Sequence, residues 1–231
     1  MAIEAFRQRI LTDLLPQFCD DPSRQFGSEG FTATWSKVTD VDASDFLRGL
    51  DAELVRHVGR GQYAAPRSAA KEQFFWEGGK NTLPRPITLW LEPIITVAGI
   101  ARLHFDFGWP VALIGAQSTD WAFDFAAYAD ESGGPECIAC EVKKSVKELT
   151  TLVDNMKQLA AEGVASEVGL TKNQINAFRK LDALRKREIP IFWALGPGKA
   201  SYCFEMTYHR DSKVVFAPRD ESVLSYRIGP T

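Results

Sequence analysis

The sequence holds few of the residues from which disulfide scaffolds and most zinc sites are built. It contains four cysteines and three histidines in 231 residues. Cys137 and Cys140 form a C-x-x-C pair, but both fall in a predicted strand, where positions i and i+3 face opposite sides. Cys19 and Cys203 supply no second pair, and no two histidines share an H-E-x-x-H spacing. We therefore expect buried free thiols rather than a zinc site or disulfides.

Long apolar runs are also missing. No run approaches the ~20 apolar residues needed to span a membrane. The first 18 residues are interrupted by Glu4, Arg7, Arg9 and Asp13, so they predict an amphipathic helix rather than a signal peptide. We expect a cytoplasmic protein with no membrane association. Its hydrophobic content of 45% and charged content of 25% are ordinary for a globular chain of this length.

An excess of positive charge is absent as well, because the formal net charge is −3. Residues 171–188 are a local exception, with six basic and two acidic residues in a predicted helix. Such a helix could contact phosphate groups, although a solvated helix face accounts for the same pattern. The candidate phosphate contacts are Lys172, Arg179, Lys180, Arg185 and Lys186.

Two strand-like runs, residues 121–129 and 136–143, are joined by a turn that contains Gly133, Gly134 and Pro135. Glycine tolerates positive φ, and proline cannot occupy a central strand. The two runs are therefore predicted to pair as an antiparallel hairpin.

The alternation of side chains along this hairpin brings ionisable groups together. Phe123 and Phe125 are predicted to share one face, and Asp124 lies on the other. Glu141 and Lys143 share a face of the second run, opposite its apolar residues. Burying such groups costs on the order of several kcal/mol unless they pair with one another or hold a cation. A structural salt-bridge cluster and a catalytic site both meet that condition.

A helix is predicted directly after the hairpin. Ser145 and Glu148 form an S-x-x-E capping box at its start, and Gly163 can close it. The order is thus a strand with an aspartate, a turn, a strand with Glu-x-Lys, and a capped helix.

This order resembles the core of the PD-(D/E)XK, or restriction-endonuclease-like, nuclease superfamily. Asp124 and the run Glu141-Val142-Lys143 match its motif residue by residue. Phe123 stands where the family motif has proline. The resemblance spans residues 92–195.

The resemblance implies a Mg²⁺-dependent deoxyribonuclease, with Mn²⁺ as a substitute ion. Asp124 and Glu141 would bind the metal together with the backbone carbonyl of Val142, and Lys143 would act on the attacking water. Double-stranded DNA is the favoured partner, and endonuclease activity is favoured over exonuclease activity. The alternative is a catalytically inactive module of this fold that binds nucleic acid or a protein partner. A homodimer and a subunit of a larger restriction, repair or defence system are both open.

Two further acids are weaker candidates. Glu92 stands at the start of a predicted buried helix, where related nucleases often place an additional metal-facing acid; an interaction with the helix dipole explains it equally well. Asp120 lies an even number of residues before Asp124 and would face the same side of an extended strand. It stands at the start of the predicted strand, however, where a surface turn residue is also expected. Gln117 and Ser118 are candidates to line the same cleft.

The order of elements predicts an α/β fold. We expect residues 86–231 to form a restriction-endonuclease-like core, in which helices flank a mixed β-sheet. Residues 1–85 are predicted as a mainly helical N-terminal extension, with a helix at residues 45–58 and no assigned chemistry. Further strands are predicted at residues 31–38, 110–115 and 223–228, the second of them in the middle of the sheet.

Overall fold

The computed structural model describes residues 1–21, 24, 27–79, 81–132, 134–209 and 213–227. The α-helices in these residues are α1 (Ala2–Arg9), α2 (Leu15–Cys19), α3 (Asp40–Asp51), α4 (Leu91–Phe105), α5 (Val146–Glu162) and α6 (Lys172–Arg187). The strands are β1 (Phe31–Thr32), β2 (Arg56–His57), β3 (Gln62–Ala64), β4 (Glu72–Gln73), β5 (Phe75–Glu77), β6 (Ile87–Leu89), β7 (Ile114–Ala116), β8 (Phe125–Tyr128), β9 (Glu136–Val142), β10 (Ile191–Leu195), β11 (Ser201–Tyr208) and β12 (Val214–Arg219).

A six-stranded sheet lies at the centre of the fold, in the order β12-β11-β10-β9-β8-β7. Strands β9 and β10 are parallel, and the crossover between them contains α5 and α6. The other neighbours in this sheet are antiparallel, including the predicted hairpin of β8 and β9. The chain is therefore a mixed α/β protein, as predicted. Among the described residues no helix combines the length and hydrophobicity needed to cross a bilayer.

Helices cover both faces of this sheet. On one face α4 and the N-terminal helices pack against Phe125, Ile138 and Cys140. On the other face α5 and α6 pack against Phe123 and Ala139. The prediction that Phe123 and Phe125 share a face is therefore wrong. The positive φ angles of Asp120 (60°) and Trp121 (57°) break the extended backbone, so β8 begins only at Phe125.

The caps of α5 follow the sequence signals, and α6 also begins with a capping box. The Ser145 side chain accepts a hydrogen bond from the Glu148 N–H at 3.2 Å, and Gly163 ends α5 with φ of 65°. Thr171 and Gln174 form a reciprocal capping box at the start of α6. These caps set where α5 begins and ends and where α6 begins.

The elements of the N-terminal region differ in position from those predicted, and β2 to β5 lie where no strand is predicted. Its helix runs over Asp40–Asp51 and not over residues 45–58, because the Thr39 side chain accepts a hydrogen bond from the Asp42 N–H at 3.1 Å and caps it earlier. Only Phe31–Thr32 of the predicted strand 31–38 pairs, in a small sheet with β6 and β5. The helices α1 to α3 share one apolar core with α4. The boundary at residue 85 stays a prediction.

Two other predicted strands differ in the structure. Within residues 110–115 only Ile114 and Gly115 are extended, in a strand at the edge of the sheet and not in its middle. The backbone of residues 67–69 covers that edge, since the Arg67 N–H donates to the Ile114 carbonyl at 3.1 Å. The predicted strand 223–228 is not formed over its first two residues, which belong to a 3₁₀ turn at Glu221–Leu224. Gly133 of the predicted turn and Ile228 lie outside the described residues.

Gly99 sets the distance between α4 and the sheet. A Cβ atom at this position would lie 2.6 Å from Phe125 Cζ and 2.9 Å from Leu195 Cδ1. Overpacking of this kind costs about 1–3 kcal/mol, and the gain in helix propensity offsets at most about 1 kcal/mol. We expect Gly99→Ala to lower Tm by about 3 °C or more in thermal unfolding. Gly79→Ala is the control, because its added Cβ meets no atom within 4 Å; equal Tm values for both variants would contradict this packing.

Candidate active site

The predicted catalytic residues lie together at one end of the hairpin, where β8 begins and β9 ends. Asp124 directly precedes β8, Glu141 is the penultimate residue of β9, and Lys143 follows β9. The Lys143 N–H donates to the Leu195 carbonyl at 2.9 Å, which keeps this end of β9 aligned with β10. The antiparallel pairing of β8 and β9 therefore brings all three side chains to one end of the hairpin.

The Asp124 side chain is held against the backbone of β9. Its Oδ2 accepts a hydrogen bond from the Val142 N–H at 2.6 Å. In an extended strand the N–H and the carbonyl of one residue point to the same side. We therefore expect the Val142 carbonyl to point toward Asp124 as well, which makes it an oxygen donor beside the two carboxylates.

Glu141 is a buried carboxylate between two ammonium groups. Its side chain is 2% exposed. Lys143 Nζ donates to Oε1 at 2.6 Å. Lys180 Nζ lies 2.7 Å from Oε2 and forms an ion pair with it. The angles of this contact do not satisfy hydrogen-bond geometry. Two buried lysines around one carboxylate indicate a site with more negative charge than Glu141 alone, because Asp124 lies beside it.

The protonation states of this cluster follow from burial and from the neighbouring charges. Burial, followed by the charge of Glu141, raises the pKa of Asp124 from 3.8 to about 8, even though both lysines and the Val142 N–H lower it. Burial alone would lower the pKa of Lys143, but the charges of Glu141 and Asp124 outweigh it and raise that pKa. Without a cation, these shifts favour the protonated form of Asp124 and the charged form of Lys143.

A cleft of about 530 Å³ opens beside Lys143, between the N-terminal halves of α5 and α6. Glu92, at the start of α4, lies in its wall. Glu92 Oε2 accepts a hydrogen bond from Trp90 Nε1 at 3.3 Å, and its charge contributes to the raised pKa of Lys143. This weaker candidate is therefore in the same cleft as Lys143. Further lining residues are Lys144, Lys147, Glu148, Asn155, Asn173 and Asn176.

The other weak candidates have separate surroundings. Asp120 is exposed and lines a second cleft beside α6. Ser118 is buried, and its Oγ accepts a hydrogen bond from the Phe123 N–H at 2.9 Å, so it braces the loop before Asp124. Gln117 Nε2 donates to Glu72 Oε1 at 2.7 Å.

Glu72 is a buried acid that sequence reasoning missed. It lies in β4, within the N-terminal region to which no chemistry was assigned. Burial raises its pKa, the hydrogen bond from Gln117 lowers it, and the charge of Glu92 raises it further. Glu72 therefore connects the N-terminal region with the loop before Asp124. The one available signal was a lone acid in the aromatic run of residues 71–76.

The predicted phosphate contacts of α6 divide into two groups. Lys180 points inward to Glu141, and Arg185 donates to the Val164 carbonyl at 3.0 Å. Neither is a free surface cation, which corrects the prediction for both. Lys172, Arg179 and Lys186 are exposed, and two of them pair with acids: Arg179 with Glu167 at 2.8 Å, and Lys186 with Asp182 at 2.7 Å.

The oxygen donors of this cluster suit a hard divalent cation that takes only a few of its ligands from the protein. Among the residues that the structure describes, no three His, Cys, Asp or Glu side chains are grouped closely enough to hold a metal by themselves. Mg²⁺ does not need three, because it is commonly bound through one or two carboxylates, waters and substrate phosphates. Asp124, Glu141 and the Val142 carbonyl fit this requirement. The carboxylate pair that raises the Asp124 pKa is also what a cation would neutralise.

Comparisons with protein-family models, with curated proteins and with solved structures find no match to this chain.

Proposed function

We propose that this chain is a Mg²⁺-dependent phosphodiesterase of the restriction-endonuclease-like fold that hydrolyses DNA. The observation that carries the proposal is the convergence of Asp124, buried Glu141 and Lys143, of which Lys143 lines an open cleft. The order α4-β7-β8-β9-α5 supports the fold assignment, since the family core is expected to run in the same sequence. An Asp on the first strand of a hairpin and Glu-x-Lys on the second complete the likeness.

A purely structural cluster is a weaker explanation of the same residues. A buried ion pair contributes little net stability, because desolvation of the charges opposes their attraction. The cluster also contains Asp124, whose pKa burial and the charge of Glu141 raise to about 8 even though both lysines lower it. Perturbed carboxyls of this kind beside a cleft are typical of catalytic sites.

Each residue has a defined task in the proposed reaction. Asp124 and Glu141 would hold the metal, with the Val142 carbonyl as a third donor. Bound Mg²⁺ supplies neutralisation of charge on the phosphate and a more acidic water. Lys143, with a raised pKa, is a hydrogen-bond donor rather than a base. Its ammonium would orient the attacking water or stabilise the phosphate oxygens. The water oxygen bonds to phosphorus as the ester bond breaks, the water gives its proton to solvent, and the leaving oxygen takes a proton from solvent.

Metal dependence and one carboxylate exchange test the proposal. We expect purified protein to cleave DNA with Mg²⁺ or Mn²⁺ and to lose all cleavage with EDTA. Glu141→Gln should abolish cleavage and weaken Mn²⁺ binding, measured by electron paramagnetic resonance, at least about tenfold. The matched control is Glu136→Gln, since Glu136 is a second buried carboxylate in β9 and pairs with Arg187 at 2.5 Å, outside the cluster. That variant should keep cleavage and metal binding.

The substrates should include duplex DNA, single-stranded DNA and RNA. Metal binding without cleavage of any of them would contradict the enzyme and favour the inactive nucleic-acid-binding module. Equal loss in Glu141→Gln and Glu136→Gln, with equally lowered Tm, would show that the effect of Glu141 is structural.

A further inference from the structure

Trp121 is a large aromatic side chain held in solvent three residues before Asp124. It is 70% exposed. Its φ is 57°, Asp120 has φ of 60° and Gln117 has φ of 55°. Non-glycine residues in this region cost on the order of 1 kcal/mol or more each, and they cluster at functional sites. Three of them in one short loop indicate that the loop's conformation serves a purpose other than burial.

The loop that carries Trp121 is braced from within. The Trp121 N–H donates to the Ser118 carbonyl at 2.9 Å, and the Ser118 N–H donates to the Phe123 carbonyl at 2.9 Å. Ser118 Oγ accepts from the Phe123 N–H at 2.9 Å, and Ser118 is fully buried. These bonds fix the backbone under the indole, so Trp121 is presented by a closed turn.

The indole forms part of the wall of a second cleft, of about 370 Å³, along α6. Its charged lining residues are Arg179, Lys180, Lys186, Arg187, Asp120 and Asp182. Lys180 and Arg187 pair with the buried acids Glu141 and Glu136, so Arg179 and Lys186 are the cations exposed to a ligand. The pairs of Arg179 with Glu167 and of Lys186 with Asp182 are exposed. Such surface pairs contribute at most about 1 kcal/mol, so a phosphate group can displace them.

This second cleft adjoins the candidate active site. Asn176 lies in the walls of both clefts. Lys180 lines the second cleft, contacts Glu141 at 2.7 Å, and donates a hydrogen bond to the carbonyl of Ala122, the residue after Trp121. A strand whose phosphate lies in the first cleft beside Lys143 can therefore extend along α6 past Trp121.

We propose that Trp121 stacks on an unpaired base next to the scissile phosphate, and that the substrate is therefore single-stranded DNA or a single-stranded end. This inference rests on the proposed nuclease function. An indole face can stack only on a base whose own face is free, which excludes bases inside a continuous duplex. Aromatic side chains combined with a basic groove are the general means by which proteins bind single strands.

Binding in EDTA tests the stacking apart from cleavage. The probe is a short fluorescein-labelled single strand, measured by fluorescence anisotropy, and a covalently closed duplex circle without ends or unpaired bases serves as unlabelled competitor to measure duplex binding. We expect Trp121→Ala to weaken single-strand binding at least about fivefold, as expected for the loss of one stacked base, and Trp121→Phe to retain most of it. Neither variant should change duplex binding by a similar factor.

Trp76→Ala is the matched control, because Trp76 is also exposed, at 58%, but lies in β5 outside both clefts. It should bind the single strand as wild type does. Unchanged binding by Trp121→Ala, equal weakening for duplex and single strand, or no single-strand binding by wild type would each overturn the proposal. If the protein cleaves DNA with Mg²⁺ but Trp121→Ala binds as wild type does, the stacking proposal fails and the nuclease proposal stands. If single-strand binding depends on Trp121 but no cleavage occurs, the nuclease proposal fails and the stacking proposal stands.

Discussion

Lys143→Met is expected to lower the rate of Mg²⁺-dependent DNA cleavage by roughly 10²–10⁴-fold. The ammonium of Lys143 borders the cleft, 2.6 Å from Glu141 Oε1, and its raised pKa keeps it charged. Methionine preserves the length and most of the apolar stem of the side chain while it removes the charge. The loss should appear in the maximal rate and persist at saturating Mg²⁺ and at alkaline pH.

Lys180→Met is the matched comparison, because Lys180 contacts the same carboxylate and is buried to a similar degree. The two side chains are 17% and 14% exposed. The charge of Lys180 lowers the pKa of Asp124, so its removal should raise that pKa and make metal binding require higher pH. We expect this variant to regain much of its cleavage when pH or Mg²⁺ concentration rises. Lys180 is thus a positioning residue in the proposed site.

Full pH–rate profiles and Tm values for both variants separate these roles. If Lys143→Met regains its rate at high Mg²⁺ and Lys180→Met does not, the assignment of the two lysines is reversed. If neither variant affects a wild-type rate that depends on Mg²⁺, the reaction takes place elsewhere in the molecule.

The parts of the site that could be predicted from sequence depend on short-range geometry. Glu141 and Lys143 lie two residues apart, and alternation along an extended chain places them on one side. The capping signals at Ser145 and Gly163 are equally local, and they locate both ends of α5 correctly. Such features need no knowledge of the packing of distant segments.

The parts that were missed depend on contacts between distant segments or on backbone outliers. Lys180 approaches Glu141 only because α6 packs beside α5 on the sheet, so its sequence environment suggested a surface cation. Glu72 meets Gln117 across 45 positions of sequence. Phe123 was placed on the wrong face because no sequence signal revealed the positive φ of Trp121. A single acid among aromatic residues, as at Glu72, is the type of signal that sequence reasoning can use more fully.

The metal-free protein is expected to lose stability relative to Asp124→Asn as the pH rises. The pKa of Asp124 is about 8 in the folded protein against an ordinary value of 3.8, so the folded state binds this proton more tightly than the unfolded state. The stabilisation is complete below the unfolded pKa and is lost as the pH rises through about 8. Asparagine resembles the protonated acid and does not ionise. In EDTA the two proteins should have similar Tm near about pH 4, and the variant should be more stable by roughly 5 °C or more near about pH 9.

Mg²⁺ should reverse this order, because the cation replaces the proton between Asp124 and Glu141. Wild type at alkaline pH should gain Tm on adding Mg²⁺, and Asp124→Asn should gain little. Calorimetric titration in buffers of different ionisation enthalpy should detect about one proton released per bound ion at neutral pH. Asp154→Asn, at an exposed position of α5, is the control and should follow wild type in every measurement. Two outcomes would contradict this prediction: the same pH dependence of Tm for wild type and Asp124→Asn, or metal binding without proton release. Either would mean that Asp124 is already ionised without metal. The carboxylate pair would then give no preference for a cation.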